Sequence, residues 1–311
     1  VLERHPDDFR PRPYLERLQF RFYSTARTVL EAYQRGEIDG ISRVSDQDLA
    51  LVWEDESLNL YSAPLSGYAM VLLNLESPLF QDQRVRQALL YATNRRALIN
   101  RFLNGQGIIA HSPIAPFSWA YDPTVKQYDY DPDRAVELLR RAGWLRPSIE
   151  STRQKEGLQL AFDLFTDDDP TRIEIVRALA QQWADVGIKA TPKLANMSDL
   201  MRFRLRSRDF DAVLYEWPQS PADPDVYPFW HSTQIADGGW NLAGLRDDAI
   251  DIFLEEGRLQ RDPAVRKRLY DQFQQRFAEE VPVLLLYHRV YNYAISRRVH
   301  NVQIGPMLTP S

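Results

Sequence analysis

Apolar residues recur along this chain with two periods, and the changes from one period to the other mark out alternating strands and helices. In residues 80 to 99, FQDQRVRQALLYATNRRALI, Val85, Ala88, Leu89 and Ala92 fall at i, i+3, i+4 and i+7. That spacing predicts one buried face of a helix. Asp82 is placed to cap it, and Asn94 to cap a second helix whose inward residues are Ala97, Leu98, Phe102 and Leu103. The arginines of this pair then belong to the solvent face. Upstream, Leu18 to Phe22 alternate as a half-buried strand would. A helix is expected from Ser24 or Thr25 to Arg35, with Gly36 just past its end, then a strand over Ile38 to Ile41. Ser45 or Asp46 can cap a helix running through Trp53. Leu58 to Ala63 and Tyr68 to Leu73 read as strands, the second nearly all apolar and therefore central. Asp131-Pro132 opens a helix with Ala135, Leu138, Leu139 and Ala142 inward and Gly143 as its stop.

The pattern turns polar from Leu145 to Gly157, which marks the expected domain boundary. It restarts with a strand over Leu158 to Phe165. A helix over Pro170 to Val186 follows, capped by Asp169 and stopped by Gly187. A strand over Ile188 to Pro192, a helix over Ser198 to Arg206 and a strand over Asp211 to Trp217 come next. Helices over Asp247 to Leu259 and Pro263 to Glu280 lead to a last strand, Val281 to Ile295. This alternation predicts an α/β protein with a mixed or parallel sheet covered on both faces. With 311 residues the chain has room for two domains. One is expected over residues 1–147 with 290–311 returning to it, the other over 148–289.

Composition narrows the chemistry. The net charge of −5 argues against nucleic acid as a partner, since phosphate binding needs a basic face. There is no cysteine, so disulfides and thiolate chemistry are excluded. The longest apolar run, Val281 to Tyr287, is strand length, far from the roughly 20 residues of a membrane helix. None of the five histidines forms an HExxH or an i, i+4 pair, and no GxSxG, P-loop or GxGxxG is present. Asp167-Asp168-Asp169 stands directly before Pro170 and reads as an acid-rich helix start. No metal and no cofactor is expected.

The richest polar-aromatic cluster lies between Tyr215 and Asn241. It begins at the C-terminal end of a predicted strand, where open α/β sheets place ligands, and aromatic walls with a few polar groups suit a small-molecule cleft. Tyr215, Trp217, Ser220, Trp240 and Asn241 are the candidate contacts. Tyr68, which opens the central strand, is a further one. The loop His111 to Pro116 stands behind these.

Three stretches resemble a known family. The strand GYAMVLLN (67–74) is followed by Pro78-Leu79-Phe80 and then Asp82-Gln83-Arg84-Val85-Arg86-Gln87-Ala88. YDPDRAVELLRRAGW and DPDVYPFWHSTQ with GWNLAGL come later. Together they resemble family 5 of the extracellular solute-binding proteins of ABC importers, the dipeptide, oligopeptide and nickel type. The resemblance implies a two-lobed, class II periplasmic-binding-protein-like fold whose N-terminal part, with its export signal, precedes Val1. The first lobe would then carry an uncovered apolar surface or sheet edge. It also implies a small, peptide-like solute, an ABC permease as partner, and a periplasmic or extracellular site of action, as a secreted protein or anchored lipoprotein. No catalysis is implied. In peptide-binding members an aspartate three residues after the loop tryptophan pairs with the ligand's ammonium. That place here is Ser220, and a hydroxyl does not replace a charge partner. The rival readings are a carboxylate-dependent hydrolase, with paired acids roughly 5–10 Å apart, and the solute-sensing domain of a regulator.

Overall fold

A computed structural model describes residues 1–5, 14–45, 48–217, 223–236 and 238–305. The chain divides into two compact units, Val1–Ser62 with Tyr291–Ile304, and Ala63–Val290.

The first unit contains β1 (Leu2–Glu3), β2 (Arg17–Leu18), α1 (Ala26–Gln34), β3 (Gly40–Ile41), α2 (Leu49–Glu54) and β4 (Leu58–Pro64). Thr25 caps α1 in a reciprocal box with Thr28. Its core is small: Leu30, Ile41, Val44, Val52, Leu58 and Ala294. Tyr14, Leu15, Phe20, Phe22 and Trp53 are exposed. Of the strand expected over Leu18 to Phe22 only Leu18 lies in a strand, the two-residue β2; residues 19–22 are not strand.

The second unit begins with β5 (Tyr68–Leu73), α3 (Gln83–Tyr91), α4 (Arg95–Phe102), β6 (Gly107–Ile109) and α5 (Pro132–Arg141). A hairpin of β7 (Gln154–Lys155) and β8 (Leu158–Gln159) leads to β9 (Ala161–Thr166), α6 (Pro170–Asp185) and β10 (Lys189–Leu194). After α7 (Met197–Asp199) and a π-helical turn over Leu200–Leu205 come β11 (Ala212–Trp217) and α8 (Tyr227–Trp230). A 3-10 turn over Ser232–Ile235, α9 (Asp248–Leu259), α10 (Pro263–Glu280) and β12 (Val283–Ser296), whose residues from Tyr291 on belong to the first unit, complete it.

Its sheet has the order β10-β9-β11-β5-β12, with β6 on β12. β9, β10 and β11 are parallel, and β5 runs antiparallel to β11 and β12. All six residues of β5 are buried. They alternate between two cores: Ala69, Val71 and Leu73 pack on one face, and Tyr68, Met70 and Leu72 on the other. This is the two-sided burial that an uninterrupted apolar strand implies. α3 to α6 cover the first face through Val85, Leu98, Leu139 and Trp183. The π turn and α8 to α10 cover the second through Leu205, Trp230, Leu254 and Phe273. The caps expected at Asp82, Asn94, Asp131 and Asp169 all accept from backbone N–H groups of their helices.

Two expectations are corrected. The division at residue 147/148 is not where the chain divides, because β9 lies in the same sheet as β5. The polar stretch 145–157 is a surface hairpin bound to the second unit, not a linker. Leu145 bridges Gln154, and the Arg153 guanidinium donates to the carbonyls of Trp144 (3.0 Å) and Val186 (2.7 Å). The arginines of α3 and α4 are also not all solvated. Arg86 and Arg95 are each only 4% exposed. Arg95 donates to the carbonyls of Ala110, Tyr128 and Leu285 at 2.7–3.0 Å, and burial pushes its pKa down to about 10. Carbonyl oxygens can satisfy a guanidinium as fully as water does.

Candidate functional site

β11 reaches the C-terminal edge of the sheet with Tyr215 opposite Met70, Glu216 opposite Ala69 and Trp217 opposite Tyr68. Side chains alternate along a strand, so Tyr215 and Trp217 emerge on the face covered by the π turn and α8, and Glu216 on the other. The Trp217 ring meets three rings edge to face. They are Tyr215 at 5.9 Å, Phe229 at 4.6 Å and Trp240 at 5.6 Å between centroids. All four are half-buried. Perpendicular rings at this spacing attract through their quadrupoles, so the four form a fixed apolar shelf, partly open to solvent.

Two arginines lie over aromatic faces here. The Arg206 guanidinium sits 3.6 Å from the Trp240 centroid, and that of Arg204 sits 4.6 Å from Phe165. Both come from the π-helical segment, where the Arg206 N–H bonds the Met201 carbonyl at 2.9 Å, five residues back. Such turns are rare and change the direction in which side chains leave a helix.

The opposite face carries an ion network. Arg289 Nε donates to both Glu216 oxygens at 2.8 and 3.1 Å, and Arg172 Nη1 donates to Glu216 at 3.2 Å. Arg172 also grips both oxygens of Asp167 at 2.6 and 2.7 Å. Near this level the Tyr287 and Thr166 hydroxyls are buried without a hydrogen-bond partner among the described residues, and burial pushes the Tyr287 phenol up.

The expected site residues separate. Tyr215, Trp217 and Trp240 converge. Tyr68 is a floor instead of a wall: it is 3% exposed, with its ring edge-on to His288 at 6.0 Å, because the sheet and its neighbours close over the strand's first residue. Asn241 is likewise corrected from contact to brace. It is 0% exposed. Its Nδ2 donates to the carbonyls of His231 (3.1 Å) and Leu245 (2.9 Å), and its Oδ1 accepts from the Leu245 N–H at 3.0 Å. These bonds tie the loop that carries Trp240. Replacing Asn241 with alanine should cost about 1–3 kcal/mol, the usual range for stranded buried polar groups, read as a lowered urea midpoint. Ser220 lies outside the described residues. Phe229, Arg204 and Arg206 belong to the site and were not expected there. The available signal was Arg202, Arg204, Arg206 and Arg208 at every second position, a spacing no single face of an α-helix can hold.

His231, 2% exposed, stacks on Tyr227 at 4.1 Å and is bonded through both ring nitrogens to Thr233 and Glu255, which is a structural position. His111 and His288 line a separate cavity with Tyr121 and Arg96. Among the described residues no three of His, Asp or Glu are grouped to hold a metal ion, and no helix is long and apolar enough to cross a membrane.

A doubly covered α/β sheet with an aromatic shelf at its strand ends is a scaffold on which small-molecule sites are commonly built. Residues 1–237 match the family model of the bacterial extracellular solute-binding proteins, family 5 middle region, and the chain belongs to that family. It is 27% identical over 309 residues to the oligopeptide-binding protein AppA of Bacillus subtilis, covering 98% of this chain and 56% of that protein. It is also 27% identical to the heme-binding protein A of Haemophilus influenzae, covering 97% of this chain and 54% of that one. The chain thus spans about half the length of these relatives. The solved structure of B. subtilis AppA with a nonapeptide matches at a TM-score of 0.76 and 26% identity, covering 97% of this chain and 60% of that one. HbpA2 of Haemophilus parasuis matches in fold at a TM-score of 0.83 and 24% identity, covering 95% and 57%.

Proposed function

We propose that this protein captures a small solute for an ABC importer, holds it against the Trp217–Trp240 shelf and presents it to a membrane permease. It acts outside the cytoplasmic membrane, secreted or lipid-anchored, and carries out no reaction on the solute. The observation that carries this reading is the half-open set of four aromatic rings at the C-terminal strand edge. Burying about 100 Å² of apolar solute against such a surface is worth roughly 2–3 kcal/mol. Closure of a two-lobed protein over a solute needs only a differential affinity between open and closed forms, and a shelf that buries more of the solute on closure supplies it.

The state of the acids supports a binder over a hydrolase. Asp167 and Glu216 are the paired carboxylates of this edge, and one guanidinium, Arg172, is bonded to both. The oxygens of both acids are taken up by Arg172 and, for Glu216, also by Arg289, which leaves them in structural ion pairs. The relatives' names point to peptides and heme, so a peptide-like solute is the first class to test. Ser220, in place of an ammonium-pairing aspartate, turns attention to solutes without a free amine.

Native mass spectrometry of the full-length protein from its own host should reveal a co-purifying solute. Calorimetry with that solute should show binding weakened by about 2 kcal/mol or more in Trp217→Ala or Trp240→Ala, as for central aromatic anchors. Unchanged affinity in both variants, with unchanged circular dichroism, would assign these rings to packing alone.

A further inference from the structure

We propose that the shelf selects solutes that carry an anionic group on a flat apolar body and that it requires no free ammonium, with Arg206 as the group that meets the anion. The inference rests on the solute-binding reading above and names the class of solute.

Arg206 differs from the arginines around it. Arg172 and Arg289 are held by Glu216, Arg204 by Asp209, and Arg208 by the carbonyls of Ile235 and Asn241. Arg206 donates through Nη1 to the Gly239 carbonyl at 2.9 Å and, at 3.4 Å, to Gly238. Among the described residues no carboxylate pairs with it. Its plane is fixed over Trp240, and the side chain is exposed. A guanidinium pinned on an aromatic face keeps its remaining N–H fork directed outward, and a carboxylate or phosphate matches that fork with two parallel bonds. The π turn fits the same purpose, since the Arg206 N–H closes the five-residue bond at the residue that overhangs the shelf.

The acids that would attract an ammonium are already engaged. Glu216 and Asp167 face Arg172 and Arg289. Asp223 and Asp225, just after the segment that follows Trp217, are paired with Arg266 (2.6 Å) and Arg258 (2.8 Å). The intervening residues 218–222 read PQSPA and bring no acid. Asp169 caps α6 and lies 3.6 Å from Arg172, so Asp168, exposed on the loop after β9, is the carboxylate of this loop left without an arginine among the described residues. Asp237, outside the described residues, precedes the glycines that Arg206 contacts. Both belong in the test.

Isothermal titration of the full-length protein with three probes separates the charges: phenylalanyl-phenylalanine, its N-acetyl form, and the N-acetyl form with a C-terminal amide. The acetylated acid should bind within threefold of the free dipeptide and at least tenfold tighter than the amide. Arg206→Gln should reduce that acid-to-amide ratio below threefold without a change in melting temperature, and Arg206→Lys should restore part of it. Asp237→Asn should leave the ratio in place. The proposal is overturned if the free dipeptide binds tenfold tighter than its acetylated form and Asp168→Asn removes the difference. It is equally overturned if Arg206→Gln keeps the ratio, or if a preference for the acid appears only in Asp237→Asn. If none of the probes binds while a co-purified solute is present, the proposed class is wrong and the solute-binding reading stands.

Discussion

Arg86→Ala should lower the stability of the second unit by about 3–5 kcal/mol, the usual result of removing one member of a buried charged network. The Arg86 guanidinium donates to the carbonyls of Phe80 (2.7 Å), Gln81 (3.0 Å), Glu280 (2.6 Å) and Val281 (3.1 Å). It also meets the Glu280 carboxylate at 3.1 Å. All four carbonyls and the carboxylate would lose a charged donor at once, two of the carbonyls at the C-terminal end of α10, where Val281 adopts a left-handed φ of 47°. Urea unfolding read by far-UV circular dichroism measures the effect. Arg86→Lys should recover only part of it, because an ammonium has no planar fork to span several carbonyls. A loss under about 1 kcal/mol in Arg86→Ala would show that water replaces the guanidinium, against the burial seen here.

The second large effect concerns acid. His288 is 1% exposed, and its Nδ1–H donates to the Gly67 carbonyl at 3.0 Å. Burial pushes its pKa down to about 4, from 6.5. Between about 4 and 6.5 the unfolded chain therefore takes up a proton that the folded one refuses, so stability is complete above 6.5 and falls as the pH drops toward 4. A shift of this size corresponds to about 3 kcal/mol when fully expressed. His111, in the same cavity, is also lowered to about 4, by burial and by the Arg95 charge, and acts in the same direction. Unfolding midpoints taken from pH 7 to pH 4 should fall less steeply in His288→Asn than in the natural protein. Equal slopes would mean that His288 is protonated in the native state.

Where one local interaction decides an element, the sequence showed it. Asp262-Pro263 places the start of α10 because the aspartate accepts from the N–H groups of Ala264 and Val265, and proline lacks the hydrogen that would go unpaired. β5 was legible as central because no polar residue interrupts it. The shelf was legible in part, since Tyr215 and Trp217 are two apart on one strand and must share a face. What stayed hidden depends on distant partners. Arg86 and Arg84 look alike in sequence, yet only Arg86 meets the end of a helix nearly 200 residues on. Asn241 reads equally well as a ligand contact or a brace until the Leu245 backbone is placed beside it. The polar stretch 145–157 looks like a linker because a surface hairpin and a linker share a composition.

β5 has one more consequence, for the order of synthesis. It pairs with β11 and β12, which begin 139 and 210 residues after Leu73 (212 − 73 and 283 − 73). At about 5–20 residues per second the strand waits roughly 10 to 40 seconds for its second neighbour. Until β11 emerges six apolar residues in a row have no partner edge, one edge stays open until β12 follows, and pairing over such separations is slow in itself. A central strand whose partners come this late leaves its backbone edges open to the wrong pairing for as long as the chain is incomplete.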